Sequence, residues 1–187
     1  MDYPVEEFES QEELEKWLGR NGGADGAWLK LAKKGSGETT VSYAEAVESA
    51  LCYGWIDSQA KTFDDKFYIQ KFTPRRAKSV WSVKNRQKVE ELIAAGRLQP
   101  AGLAQVQAAK ADGRWGAAYE GQSTAKAPAD FLAALAKNKK AAQFYETLSK
   151  SNKYAIIWRL HHSKKPETRA ANIQKFISML AAGKTLH

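Results

Sequence analysis

Cysteine is all but missing from this 187-residue chain, and its single thiol, Cys52, cannot close a disulfide within it. A small fold stapled by cross-links is therefore excluded, and a reducing compartment is expected. Histidine is scarce as well, with only His161, His162 and His187. The first two are neighbours, and neighbours on a helix point about 100° apart, so they are poorly placed to share a metal. No apolar run approaches the roughly 20 residues needed to span a bilayer. The acidic start, Met1-Asp2-Tyr3-Pro4-Val5-Glu6-Glu7, lacks the basic and apolar regions of an export signal. These absences predict a cytoplasmic protein with no transmembrane segment.

What is present describes a globular chain. Hydrophobic residues make up 43% and charged residues 27%, with seven Phe, seven Tyr and six Trp, a composition that argues against wholesale disorder. The formal net charge of +8 is unevenly spread. Residues 1–60 hold five Lys/Arg against twelve Asp/Glu, whereas 61–97 hold ten against four and 98–187 fourteen against five. Basic surface concentrates anions, including nucleic acid and phosphorylated metabolites; it also serves plain solubility.

Ser10 followed by Glu13 reads as a capping box that opens a helix over 11–20. Ala27, Leu29 and Leu31 alternate with Trp28, Lys30 and Ala32 in strand fashion. Ser42 and Glu45 cap a second helix, which Gly54 ends. Two strand-like segments follow, Trp55 to Ala60 and Phe67 to Thr73; aromatics on both faces of the second predict that both faces are covered, and Pro74 should stop it. Helices are then expected over 83–95, from Pro100 to about Gly113, and near 128–137, 139–149, 152–162 and 166–182. The fold class is therefore α+β: a small mixed N-terminal domain with an antiparallel sheet over 1–115, a linker over 116–127, and an all-helical module over 128–187.

The densest chemistry lies between Trp55 and Asn85. Lys71, Arg75, Arg76, Lys78, Lys84, Arg86 and Lys88 interleave there with Phe72 and Trp81. Guanidinium groups grip phosphate or carboxylate in bidentate fashion and aromatic rings offer stacking surfaces. A helix start near Ser82 would also favour an anion. Trp55, Asp57, Gln59, Lys71, Arg75, Arg76, Trp81 and Asn85 are thus the candidate ligand-binding residues. The competing expectation is that Trp81 is core and that Arg75 pairs with Asp57 or a carbonyl. Asp57 has no second carboxylate at a spacing suited to acid–base catalysis, so no catalytic residue is assigned and an enzyme is not the expected reading. Cys52, among Ala50, Leu51 and Tyr53, reads as an inert core thiol. Gly35-Ser36-Gly37 lacks the lysine-Ser/Thr ending of a phosphate loop and the third glycine of a dinucleotide fingerprint, so no cofactor is expected.

Several longer stretches carry a resemblance. Ala50-Leu51-Cys52-Tyr53-Gly54-Trp55-Ile56-Asp57-Ser58-Gln59, then Phe72-Thr73-Pro74-Arg75-Arg76, Ser79-Val80-Trp81-Ser82 with Asn85, and Pro100-Ala101-Gly102-Leu103 occur in this order. The chain resembles the YdeI/OmpD-associated bacterial family, also called bacteriocin-protection proteins. Ser151-Asn152-Lys153-Tyr154 and Lys165-Pro166-Glu167-Thr168-Arg169 are similar to that family's helical OmpD-associated module. The resemblance implies a role in resistance to antimicrobial peptides or bacteriocins, and brings no agreed catalytic residues with it. Two functional expectations stand: a non-catalytic binding or stress-resistance protein that holds an anionic small molecule or peptide, or a nucleic-acid-binding protein acting through the basic aromatic surface of residues 61–187. Oligomeric state is not readable from the sequence.

Overall fold

The computed structural model describes residues 3–186; Met1 and Asp2 of the acidic start, and His187, lie outside the described residues. The fold is α+β, and the chain divides after Ala118 into two compact units. In the first, β1 (Val5–Glu7), α1 (Gln11–Arg20), β2 (Ala27–Ala32), α2 (Tyr43–Cys52), β3 (Trp55–Thr62), β4 (Phe67–Pro74), α3 (Val83–Ala94) and α4 (Pro100–Ala111) follow in order. In the second come α5 (Ala129–Ala136), α6 (Lys139–Thr147), α7 (Lys150–His161) and α8 (Pro166–Ala181).

The helix starts are made by the residues that promise them. Ser42 and Glu45 close a reciprocal capping box on α2. At α1 the box is only half built: the Ser10 hydroxyl accepts from the Glu13 amide at 3.3 Å, but the Glu13 carboxylate accepts from Glu9 instead of Ser10. Ser82, Asn138 and Ser149 cap α3, α6 and α7 in the same side-chain-to-amide manner.

The sheet order is β1-β2-β4-β3. Its central pairings are antiparallel, as the sequence predicts, but β1 joins β2 in parallel, with Val5 beside Trp28. Three residues are too short for alternation to register, which is why this edge strand escapes the sequence pattern. β4 also runs through Pro74, which pairs with Trp55 at the end of the ladder, where a missing amide proton costs least.

Ala27, Leu29, Leu31, Phe72 and Trp55 pack against Leu14 and Leu18 of α1 and Ala46 and Ala50 of α2. A second core continues behind α2: Leu51 and Cys52 meet Trp81, Val89 and Leu92, and Val106 and Ala109. The helices thus gather on one side of the sheet. Strand alternation sends Trp28, Lys30, Phe67, Ile69 and Lys71 to the other face, where lysine stems lie over the rings.

α4 approaches α2 closely through Gly102. A Cβ there would fall within 2.2 Å of the Cys52 carbonyl oxygen, so only glycine permits this crossing.

The second unit buries Phe131, Tyr145, Ile156, Leu160, Ile173, Phe176 and Leu180. Arg169 of α8 clamps it. Its Nε and Nη2 donate to the Asp130 carboxylate at 2.6 and 2.9 Å, while Nη1 donates to the Leu160 carbonyl. One guanidinium therefore ties the start of α5 to the end of α7. Among the described residues, no helix is long and apolar enough to cross a membrane.

Candidate functional site

The stretch from Trp55 to Asn85 is where sequence reasoning places a ligand, and the structure turns much of it inward. Trp55 and Trp81 are 2% and 1% exposed and belong to different cores. Arg75 is 5% exposed. Its guanidinium lies 3.5 Å over the Trp81 ring, and Nη1 donates to the Val80 carbonyl at 3.2 Å. Trp115 meets Trp81 edge-on from the other side, at 5.0 Å between ring centres. Arg86 donates to the Trp115 carbonyl, and Arg114 donates to the Ser79 carbonyl at 2.9 Å while gripping Asp112. Three guanidiniums thus bond to internal backbone oxygens. They fold the loop between β4 and α3 onto the segment after α4, and an open hollow built from Trp55, Arg75 and Trp81 is not there.

The other five candidates lie at or near the surface without converging. The Tyr43 hydroxyl donates to Asp57 Oδ2 at 2.7 Å. Gln59 is exposed at the bulge of β3, between the pairings of Asp57 and Ala60. Lys71 points to the sheet face opposite α1 and α2, 4.7 Å above the Tyr3 ring. Arg76 is exposed and its amide donates to Ser79 Oγ. The Asn85 amide donates to Ser82 Oγ, completing the cap of α3. Cys52 is buried, and burial pushes its thiol up to about 11, which keeps it protonated and unreactive. His162 caps α7, stacks on Trp158 at 4.0 Å and shares a contact with the Trp158 carbonyl. Among the described residues, no group of three His, Cys, Asp or Glu could hold a metal ion.

Concave surface lies in the second unit. A basin of about 650 Å³ opens between residues 122–127 and the start of α7, lined by Gln122, Ser123, Tyr145, Lys150, Lys153 and Tyr154. Lys153 pairs with Glu146 at 3.0 Å and lies 5.0 Å over the Tyr145 ring. The Tyr154 hydroxyl donates to the Glu120 carbonyl at 3.2 Å. Burial first, then the charge of Glu146, pushes the Tyr145 phenol above its usual range; burial, then Tyr119, does the same to Tyr154. Both are therefore neutral hydroxyls at physiological pH. Lys150 and Lys153 occupy the first turn of α7, which has no acidic residue of its own, and Glu146 of α6 answers the charge of Lys153. Helix amides and ammonium groups there direct positive potential the same way.

The charge partition agrees with this placement. Residues 1–118 carry seventeen Lys/Arg and seventeen Asp/Glu, whereas 119–187 carry twelve against four, so the whole formal excess of +8 belongs to the second unit. In the first unit Arg97 holds Glu15 and Glu48, and Lys88 also reaches Glu48. Glu15 and Glu48 of the N-terminal third are thus paired within their own unit.

Comparison with known families follows the same division. Residues 6–105 match a domain of unknown function (DUF8412), and residues 124–183 match the family described as bacteriocin-protection, YdeI or OmpD-associated. The chain belongs to the DUF8412 family through its N-terminal part, and its second unit carries a YdeI/OmpD-associated domain. No curated protein and no solved structure matches it significantly. The DUF8412 match covers the sheet from Glu6 on and α1–α3 and ends inside α4. The second match contains α5 to α8 and most of the basin. Ser151-Asn152-Lys153-Tyr154, noted in the sequence only for its resemblance, supplies two lining residues. The cap at Ser149 and two lysines in the next four positions were the signal that could have located it. Lys165 and Thr168 of the other motif line a second, shallower basin with Trp158 and His162, while Arg169 is the clamp described above.

Proposed function

We propose that this protein, which carries a YdeI/OmpD-associated domain, is a non-catalytic binding protein that takes an anionic small molecule or acidic peptide in the α7 basin. The family suggests a bacteriocin-protection-type role, and capture of an anion is the physical act assigned to it here. The observation that carries the reading is the meeting of Lys150, Lys153 and the neutral phenols of Tyr145 and Tyr154 around one concavity in the unit that holds the chain's excess positive charge. The ammonium groups supply charge-assisted bonds, the phenols donate or accept, and the aliphatic floor at Ala125, Ala127 and Ile157 accepts an apolar portion.

Thermal unfolding of the intact chain against a panel of phosphorylated, carboxylated and acidic-peptide ligands tests this. At least one class should raise the midpoint. Lys150→Ala and Lys153→Ala should each weaken that ligand about tenfold, the loss of one charge-assisted bond, without moving the ligand-free midpoint. A panel with no effect, or an effect indifferent to both changes, overturns the reading.

A second reading, nucleic-acid binding, is favoured by a separate observation: the sheet face opposite α1 and α2 carries lysines stacked on aromatic rings.

A further inference from the structure

The charges of the first unit balance in number but not in position. Glu12, Glu13 and Glu15 lie on α1 and Glu45 and Glu48 on α2, all on the helix side of the sheet. On the opposite face, register places Lys30 of β2, Ile69 of β4 and Lys61 of β3 in one cross-strand row, and Trp28 beside Lys71 in the next. Two strand spacings separate Lys30 from Lys61, about 10 Å. Glu7 is the acid on this face, and it pairs with Lys30 at 3.0 Å.

Each of these lysines lies over a ring. Lys30 Nζ is 3.9 Å from the centre of Phe67 and 5.5 Å from Phe63; Lys61 is 4.6 Å from Trp28, and Lys71 is 4.7 Å from Tyr3. Trp28 is buried, Phe67 and Tyr3 are half-buried, and Phe63 is open. Phe63 is 50% exposed, and Val5 on the edge strand is 47% exposed. Asp64 and Asp65 in the β3–β4 turn bound the patch at one end.

We propose that this face binds single-stranded nucleic acid, a reading that rests on the second reading above and gives it a surface. A lysine over a ring at an exposed site is a weak, replaceable contact. When a strand lies across the sheet, each ammonium turns from its ring to a phosphate, and a base takes the vacated π-face. Base–aromatic stacking is the stronger contact, so the exchange is favourable on both counts. A duplex keeps its bases paired and stacked and cannot use the rings. An acidic peptide can neutralise the lysines but has no flat groups to replace them. Trp28, 7% exposed beneath Lys61, becomes accessible only as that side chain moves.

The test is anisotropy of a labelled oligothymidylate on the intact chain, titrated between about 50 and 200 mM salt. Lys61→Gln/Lys71→Gln should weaken binding at least tenfold. It should also make the log–log salt dependence shallower by about 1.4, since each phosphate contact on a single strand contributes about 0.7. Lys139→Gln/Lys140→Gln removes the same charge from the second unit and should leave both nearly unchanged. Trp28→Phe should abolish strand-induced tryptophan quenching while retaining most of the affinity. No binding at 50 mM salt overturns both this inference and the nucleic-acid reading. Binding that falls with Lys139/Lys140 and not with Lys61/Lys71 overturns the sheet face alone. Equal affinity for duplex or for inorganic polyphosphate overturns the single-strand assignment.

Discussion

Arginine beside tryptophan has two physical outcomes. The planar guanidinium stacks on an indole equally well whether its donors face a ligand or a backbone carbonyl. Arg75, Arg86 and Arg114 take the second course, donating to Val80, Trp115 and Ser79. Nothing in the spacing of these residues distinguishes the cases, because the carbonyl partners of Arg86 and Arg114 lie 29 and 35 positions away. The bland alternative at Arg75, pairing with a carbonyl, was legible; the three-arginine tie was not. Its consequence is measurable. Arg75→Ala should destabilise the first unit by about 2–3 kcal/mol, by loss of the stacked cation and an unanswered Val80 carbonyl. Arg75→Lys should recover little, since an ammonium lacks the flat face. Urea denaturation followed by tryptophan fluorescence reads both, and an Arg75→Ala variant as stable as the parent would refute the assignment.

Among the elements, those with caps and sustained periods were readable in advance. α1, α2, α3, α4 and α8 start where Ser10, Ser42, Ser82, Pro100 and Pro166 place them. The three-residue β1 was not, and its parallel pairing depends on where the chain returns and not on its own residues. The clamp at Arg169 likewise joins positions 39 apart. It carries a pH dependence. The hydrogen bonds from Arg169, against a smaller opposing effect of burial, hold the Asp130 carboxyl below its usual range. A carboxylate with a depressed folded pKa stabilises above its unfolded value, about 3.9, and loses that contribution as pH falls through the folded value. Asp130 is nearly half exposed, so solvent screens the pair. Acid unfolding of the second unit below about pH 4 should therefore be less steep in Asp130→Asn, with lower stability at pH 7. Identical pH profiles for variant and parent would contradict the clamp.

Over the whole molecule, capping and periodicity anticipated the α+β class, the count of charges anticipated a basic stretch after residue 60, and the resemblance anticipated the domain of the second unit. The location of a site was less accessible. Sequence reading follows local density of charged and aromatic residues, which peaks between Trp55 and Asn85. Folding neutralises the first unit through Arg97, Lys88, Glu15 and Glu48 and leaves the surplus charge around α5–α8. Anion binding is consequently assigned to the unit with fewer arginines but unbalanced lysines. The decisive measurement is an amide chemical-shift map of the intact chain titrated with whichever anionic ligand stabilises it. Shifts should concentrate on residues 122–127 and on Lys150 to Tyr154. Shifts confined instead to the loop around Arg75 and Trp81, with α7 silent, would contradict the account.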